Sequence, residues 1–233
     1  MPRASGKAEA DTVVLEGAGL KPDEAEVLRY LGYPAGGTPE AHVVARIRRA
    51  LDSLPPQLCA RAMYRIYPVV GASRHRLELA GGTVFTGRIG EFLGEVEKVA
   101  VFLASAGPEI VAAAEAAMQA RDFLGGLVFH AIGAALAETM LERTVEHLRA
   151  RLEPGEAITL PYSPGYCGIP LEEQRILFGL LDASRIGVEL LPTLIMRPLK
   201  TISGLIGIGP AERVRAYGNP CELCPLADCR MRR

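Results

Sequence analysis

Apolar positions recur along this chain at two different spacings, and the switch between them marks the elements. KPDEAEVLRYLGY reads as a short helix with proline and acidic residues in its first turn, ended near Gly32. TPEAHVVARIRRALDSL repeats that signature, with Thr38 as the expected N-cap and a stop at Pro55 and Pro56. The pattern then shortens. AMYRIYPVV alternates and is β-branched or aromatic, which predicts a strand, and RLELAGGTVFT predicts strand, glycine break, strand. After a short helix at RIGEFLG, the run VEKVAVFLASAG reads as a buried strand leading into a helix opened by Gly107-Pro108.

The longest helical pattern covers DFLGGLVFHAIGAALAETMLERTVEHLRARL. A proline- and glycine-rich loop follows over LPYSPGYCGIPLEEQ, then a helix at PLEEQRILFGLLDA and two strand-like runs, ELLPTLIM and TISGLIGIG. Helices and strands mix without regular βαβ alternation, and no repeat is visible. The expected class is α+β, a mixed or antiparallel sheet with flanking helices. The expected organisation is a flexible N-terminus over 1–14, one domain over 15–217 and a cysteine-rich tail over 218–233.

Composition narrows the function classes. The chain has 233 residues, 49% of them apolar, and a net charge of -1. That is enough to bury a core, and too balanced to suggest a nucleic-acid partner. The first residues lack the apolar core of a secretory signal, and the apolar run from Leu124 to Leu136 is interrupted by His130 and short for a bilayer. A cytoplasmic protein outside the membrane is expected, in which cysteines serve as thiols or metal ligands rather than disulfides.

Three features could carry chemistry. On the long helix, Leu127, Ala131, Ala134, Leu141 and Val145 fall on one stripe, and Glu138 sits in its middle. A carboxylate on a buried face needs a partner, either an internal cation or a ligand with ammonium or hydroxyl groups. His130, at the stripe's edge, has no metal-spaced partner and reads as a core or boundary residue. The tail CELCPLADC places Cys221, Cys224 and Cys229 close enough to ligate zinc or an iron–sulfur cluster, or to act as a redox thiol pair. Cys59, Cys167, an external group or a second chain would supply the fourth ligand. In the loop, prolines fix the backbone while Tyr162 and Tyr166 offer aromatic faces; they either stack on a flat or sulfonium ligand or staple the loop to the sheet. No nucleophile elbow, phosphate loop or zinc-protease pair is present, and the glycines of GLIGIGP read as an interrupted strand end.

The run SPGYCGIPLEEQRILFGLLDASRIGVELLPTLIMRPLKTISGLIGIGP resembles the activation domain of cobalamin-dependent methionine synthase, the part that binds S-adenosylmethionine. It is similar to the stand-alone, activation-domain-like members that carry a cysteine-rich tail. EVLRYLGY, AMYRIYPVV and AIGAALAETMLE share the likeness. The resemblance implies a role in reductive remethylation of a corrinoid enzyme, with cobalamin on a partner and a reductant protein supplying the electron. It implies ligand contacts at Glu138, Ser163, Gly165 and Tyr166. It also shows two departures: Pro161 stands where the family has an arginine, and Cys167-Gly168 where glycine-aspartate is common. The departures leave a second expectation open, a corrinoid-interacting or electron-transfer protein with a cysteine-bound metal that no longer binds S-adenosylmethionine.

Overall fold

Strand β5 (Lys98–Ser105) is buried along seven of its eight residues because both of its faces are covered. The computed structural model describes residues 12–33, 37–55 and 58–214. In it, β5 pairs antiparallel with β2 (Arg61–Ser73) on one side and β9 (Thr201–Pro210) on the other. The sheet extends through β3 (Arg76–Leu79) and β4 (Val84–Thr86) at one edge and ends at β6 (Glu156–Tyr162) at the other, in the order β4-β3-β2-β5-β9-β6. Strand β1 (Val13–Glu16) pairs with the start of β2. Val13 and Val14, assigned above to a flexible N-terminus, therefore belong to the sheet.

Helix α5 (Phe123–Arg149) crosses one face of this sheet, where Met140, Leu141 and Leu148 pack on Ala62, Tyr64, Phe102 and Ile206. On the other face, α3 (Ile89–Leu93), α6 (Glu173–Leu180) and a 3-10 turn (Ala183–Ile186) cover Met63, Val101, Leu103 and Leu205. Helices α1 (Glu24–Tyr30), α2 (Ala41–Asp52) and α4 (Pro108–Gln119) form a further apolar cluster against the outer side of α5. The arrangement is an antiparallel sheet flanked by helices, as the sequence pattern predicts. Helix α5 is long and apolar enough to cross a bilayer, yet 61% of its most apolar stretch is buried in this fold, the position of a core helix.

Several local expectations change. The N-cap of α2 is Glu40, not Thr38, and its carboxylate is occupied by the Tyr33 hydroxyl at 2.5 Å. ELLPTLIM forms only the two-residue strands β7 (Glu189–Leu190) and β8 (Met196–Arg197) of a hairpin, since its proline and threonine fall at the turn. Leu160, Pro161 and Tyr162 belong to β6 rather than to a loop. An edge strand tolerates a proline because one side of its backbone needs no donor.

Candidate functional site

Glu138 sits on the border of the buried face of α5, half-exposed, rather than in the middle of an apolar stripe. The buried positions are Val128, Ala131, Ile132, Ala135, Leu136, Ala137, Met140 and Leu141, whereas Leu127 is 53% exposed. The stripe was misplaced because glycine and alanine crowd both sides of this helix and blur its apolar direction. His130 is half-buried, a boundary residue as expected.

The partner of Glu138 comes from α1. Asp23 caps that helix by accepting from the Ala25 N–H at 3.1 Å, and buried Val27 seats it against the α2–α5 cluster. This docking brings Tyr30, in the last turn, over α5, where its hydroxyl donates to Glu138 Oε1 at 3.2 Å. The Arg29 guanidinium lies 4.4 Å from the Tyr30 ring centre and is itself paired with Glu26 at 2.8 Å. Burial, and next the Glu138 charge, push the Tyr30 phenol up to about 12, so it stays a donor throughout the neutral range.

Beside this pair lies a cleft of about 190 Å³ lined by Tyr30, Leu31, Leu127, His130, Ala131, Ala134 and Lys200. Lys200 is fixed at the head of β9, where its carbonyl accepts from the Ala106 N–H at 2.9 Å. Its side chain crosses α5 at Gly133; a Cβ there would come within 2.9 Å of Lys200 Cγ. Burial pushes the Lys200 ammonium below its ordinary pKa, and burial together with the Lys200 charge lowers that of His130.

The Ser163–Tyr166 turn hangs from the end of β6. Tyr166 N–H donates to Ser163 O at 3.2 Å, and Gly165 N–H to Ile169 O at 2.9 Å, with Gly165 at φ 87, a conformation that favours glycine. Arg88 N–H holds the Gly168 carbonyl at 3.1 Å, and buried Glu173 accepts from the Thr86 amide at 3.1 Å and the Thr86 hydroxyl at 2.5 Å. The two tyrosines differ in burial. Tyr162 is buried and stacks on Phe92 at 4.8 Å, stapling the strand to α3, while Tyr166 is 68% exposed. Pro161 pairs with Ile206, whose side chain lies on the α5 face, and Tyr162 with Leu205 on the opposite face. Position 161 thus shares the face that α5 covers.

Ser163, Gly165 and Tyr166 are gathered in one turn, and Glu138 is held separately by α1. Sequence reasoning missed Tyr30 and Lys200; the only signal for Lys200 is a lone cation beside an apolar strand. Cys221, Cys224 and Cys229 lie outside the described residues. Of their proposed fourth ligands, Cys59 is exposed and Cys167 is buried beneath the loop at φ 52. Among the described residues no three His, Cys, Asp or Glu side chains gather as a metal site.

A second concavity, about 580 Å³, lies by α3 and contains Arg74, Arg88 and Arg213. Its arginines are already paired, Arg74 and Arg88 with Glu91 at 2.6 Å each and Arg213 with Glu97 at 3.1 Å. The guanidiniums of Arg88, foremost, and Arg74 hold the Glu91 carboxyl down at about 2. Among the described residues no ion pair is made to Lys200 in the smaller cleft on α5.

An antiparallel sheet with a long helix across one face and short helices on the other defines an activation-domain-like fold. The chain is similar to the MetH reactivation domain, solved bound to AdoHcy, with a TM-score of 0.69 and 16% identity over 90% of this chain and 82% of that one. No family model and no curated protein matches the sequence.

Proposed function

We propose that this chain is a soluble, cytoplasmic activation subunit for the reductive remethylation of a corrinoid methyltransferase, with a cobalamin-dependent methionine synthase as the partner. Its ligand is S-adenosylmethionine, taken at Glu138 and at the turn of Ser163, Gly165 and Tyr166. The observation that carries this reading is the likeness, over 90% of the chain, to a reactivation domain solved with AdoHcy. The sequence resemblance supports it independently, through the proline-glycine-tyrosine turn and the acidic residue on α5.

The bond changes belong to the partner's corrinoid, which takes one electron from a reductant protein and a methyl group from the sulfonium. This chain binds and orients. Glu138, steadied by Tyr30, offers a carboxylate to the ligand's ammonium or hydroxyl groups, and the turn offers fixed backbone groups and an exposed ring. The test is to add the protein, S-adenosylmethionine and titanium(III) citrate to an inactive methionine synthase lacking its own activation domain. Turnover should return only when all three are present; no recovery would count against the role.

Pro161 and the three tail cysteines favour a second reading. In it the chain retains corrinoid-protein docking or electron transfer, through an iron–sulfur cluster or zinc on Cys221, Cys224 and Cys229, without S-adenosylmethionine. Iron, sulfide and zinc analysis of anaerobically purified protein separates the two.

A further inference from the structure

Lys200 is a partly buried cation facing a cleft, and among the described residues no carboxylate is in ion-pair contact with it. A charge withdrawn from water is normally paired, so its cleft is suited to an anion brought by something else. Three features make the position built rather than incidental. The Lys200 carbonyl is tied to Ala106, Gly133 leaves room for the side chain to cross α5, and Lys200 shares the cleft with two further residues that carry polar groups, Tyr30 and His130. The other walls, Leu31, Leu127, Ala131 and Ala134, are apolar and offer an incoming anion no competing side-chain partner.

Size and spacing indicate what fits. At about 190 Å³ the cleft is smaller than the roughly 300–1,000 Å³ of a whole-ligand pocket, so it accepts one end of a larger molecule. Along α5, Leu127, Ala131 and Ala134, which line the cleft, share a helix face with Glu138, one turn beyond Ala134. A cation in the cleft and a carboxylate one helical turn beyond it suit a ligand that carries both an anionic and a cationic group. Position 161, on the same face of the sheet, is a proline and offers no competing cation.

We propose that Lys200 is the carboxylate-binding and specificity-determining residue of the site, receiving the α-carboxylate of an aminoacyl ligand in the α1–α5 cleft, one helical turn from Glu138. The assignment rests on the S-adenosylmethionine reading above and adds the residue that selects the amino-acid end.

The test compares S-adenosylmethionine with decarboxylated S-adenosylmethionine, which keeps the sulfonium and the ammonium. Both are titrated calorimetrically into wild-type protein, Lys200→Met and Lys200→Arg, with thermal melts of each protein as a check on folding. Wild type should prefer S-adenosylmethionine by roughly ten- to a hundredfold, the range of a hydrogen bond to a charged group. Lys200→Met should abolish that preference by weakening S-adenosylmethionine, and Lys200→Arg should keep it. Equal binding of both ligands by wild type, or an unchanged preference in Lys200→Met, overturns the role of Lys200 and leaves the wider reading intact. Binding of neither ligand by wild type removes both. Should the methionine variant melt near room temperature, the wild-type preference and the arginine variant decide the matter by themselves.

Discussion

The Tyr30 hydroxyl donates to Glu138 Oε1 at 3.2 Å, joining two residues 108 positions apart. The bond explains how a carboxylate is kept at the border of an apolar helix, and it orients that carboxylate before any ligand arrives. Replacing Tyr30 by phenylalanine removes the donor and little volume. The expected result is a loss of S-adenosylmethionine affinity of about three- to tenfold, the range of one hydrogen bond, with less than about 1.5 kcal/mol lost in urea unfolding.

The same residue gives the protein a distinct alkaline behaviour. A phenol raised to about 12 is held protonated in the folded state and ionises near its ordinary value of about 10 in the unfolded chain. The folded state binds the extra proton, so this contribution to stability is fully present below pH 10 and is lost as pH rises toward 12. Urea unfolding at pH 9, 10 and 11 should show a smaller decline in Tyr30→Phe than in wild type. Parallel declines would mean that the phenol ionises freely.

Glu173 anchors the loop from below, accepting from both the amide and the hydroxyl of Thr86 while only 6% exposed. Glu173→Ala leaves that amide without its acceptor and should cost about 1–3 kcal/mol of unfolding free energy. Because α6 carries the loop's exit, proteolysis after Tyr166 should also quicken in the variant.

Gly204 lies under the β6 edge, where an added Cβ would come within 2.5 Å of the Tyr162 carbonyl and 2.9 Å of the Phe102 ring. Neither a backbone carbonyl nor a buried ring yields cheaply. Gly204→Ala should destabilise by about 1–3 kcal/mol and loosen β6, with faster amide exchange at Tyr162 than in wild type. Protection equal to wild type would show that the strand can move without penalty.

How much of this was legible in the sequence depended on where each signal resides. Strand β5 is visible because burial on both faces leaves an unbroken apolar run, helix α5 because a long helical pattern carries no proline, and the glycines of β9 read as strand. Strand β6 was not recognised through Leu160, Pro161 and Tyr162, because a proline at a sheet edge looks locally like a proline in a loop. The phase of the α5 face was missed for a related reason: where small residues surround a helix, the buried direction is set by what packs on it. Glu138 stood out as a charge among apolar neighbours. Tyr30 could not, since nothing near it in the chain reveals a partner 108 residues away. Lys200 likewise gains its meaning only when β9, α1 and α5 are brought together.

The most direct measurement is calorimetric titration of anaerobically purified protein with S-adenosylmethionine, wild type beside Glu138→Ala. The expected result is saturable one-site binding to wild type that Glu138→Ala abolishes, with both proteins melting alike. Absence of heat from wild type at millimolar ligand, or equal binding by the two proteins, would contradict the assignment of this chain as an S-adenosylmethionine-binding activation subunit.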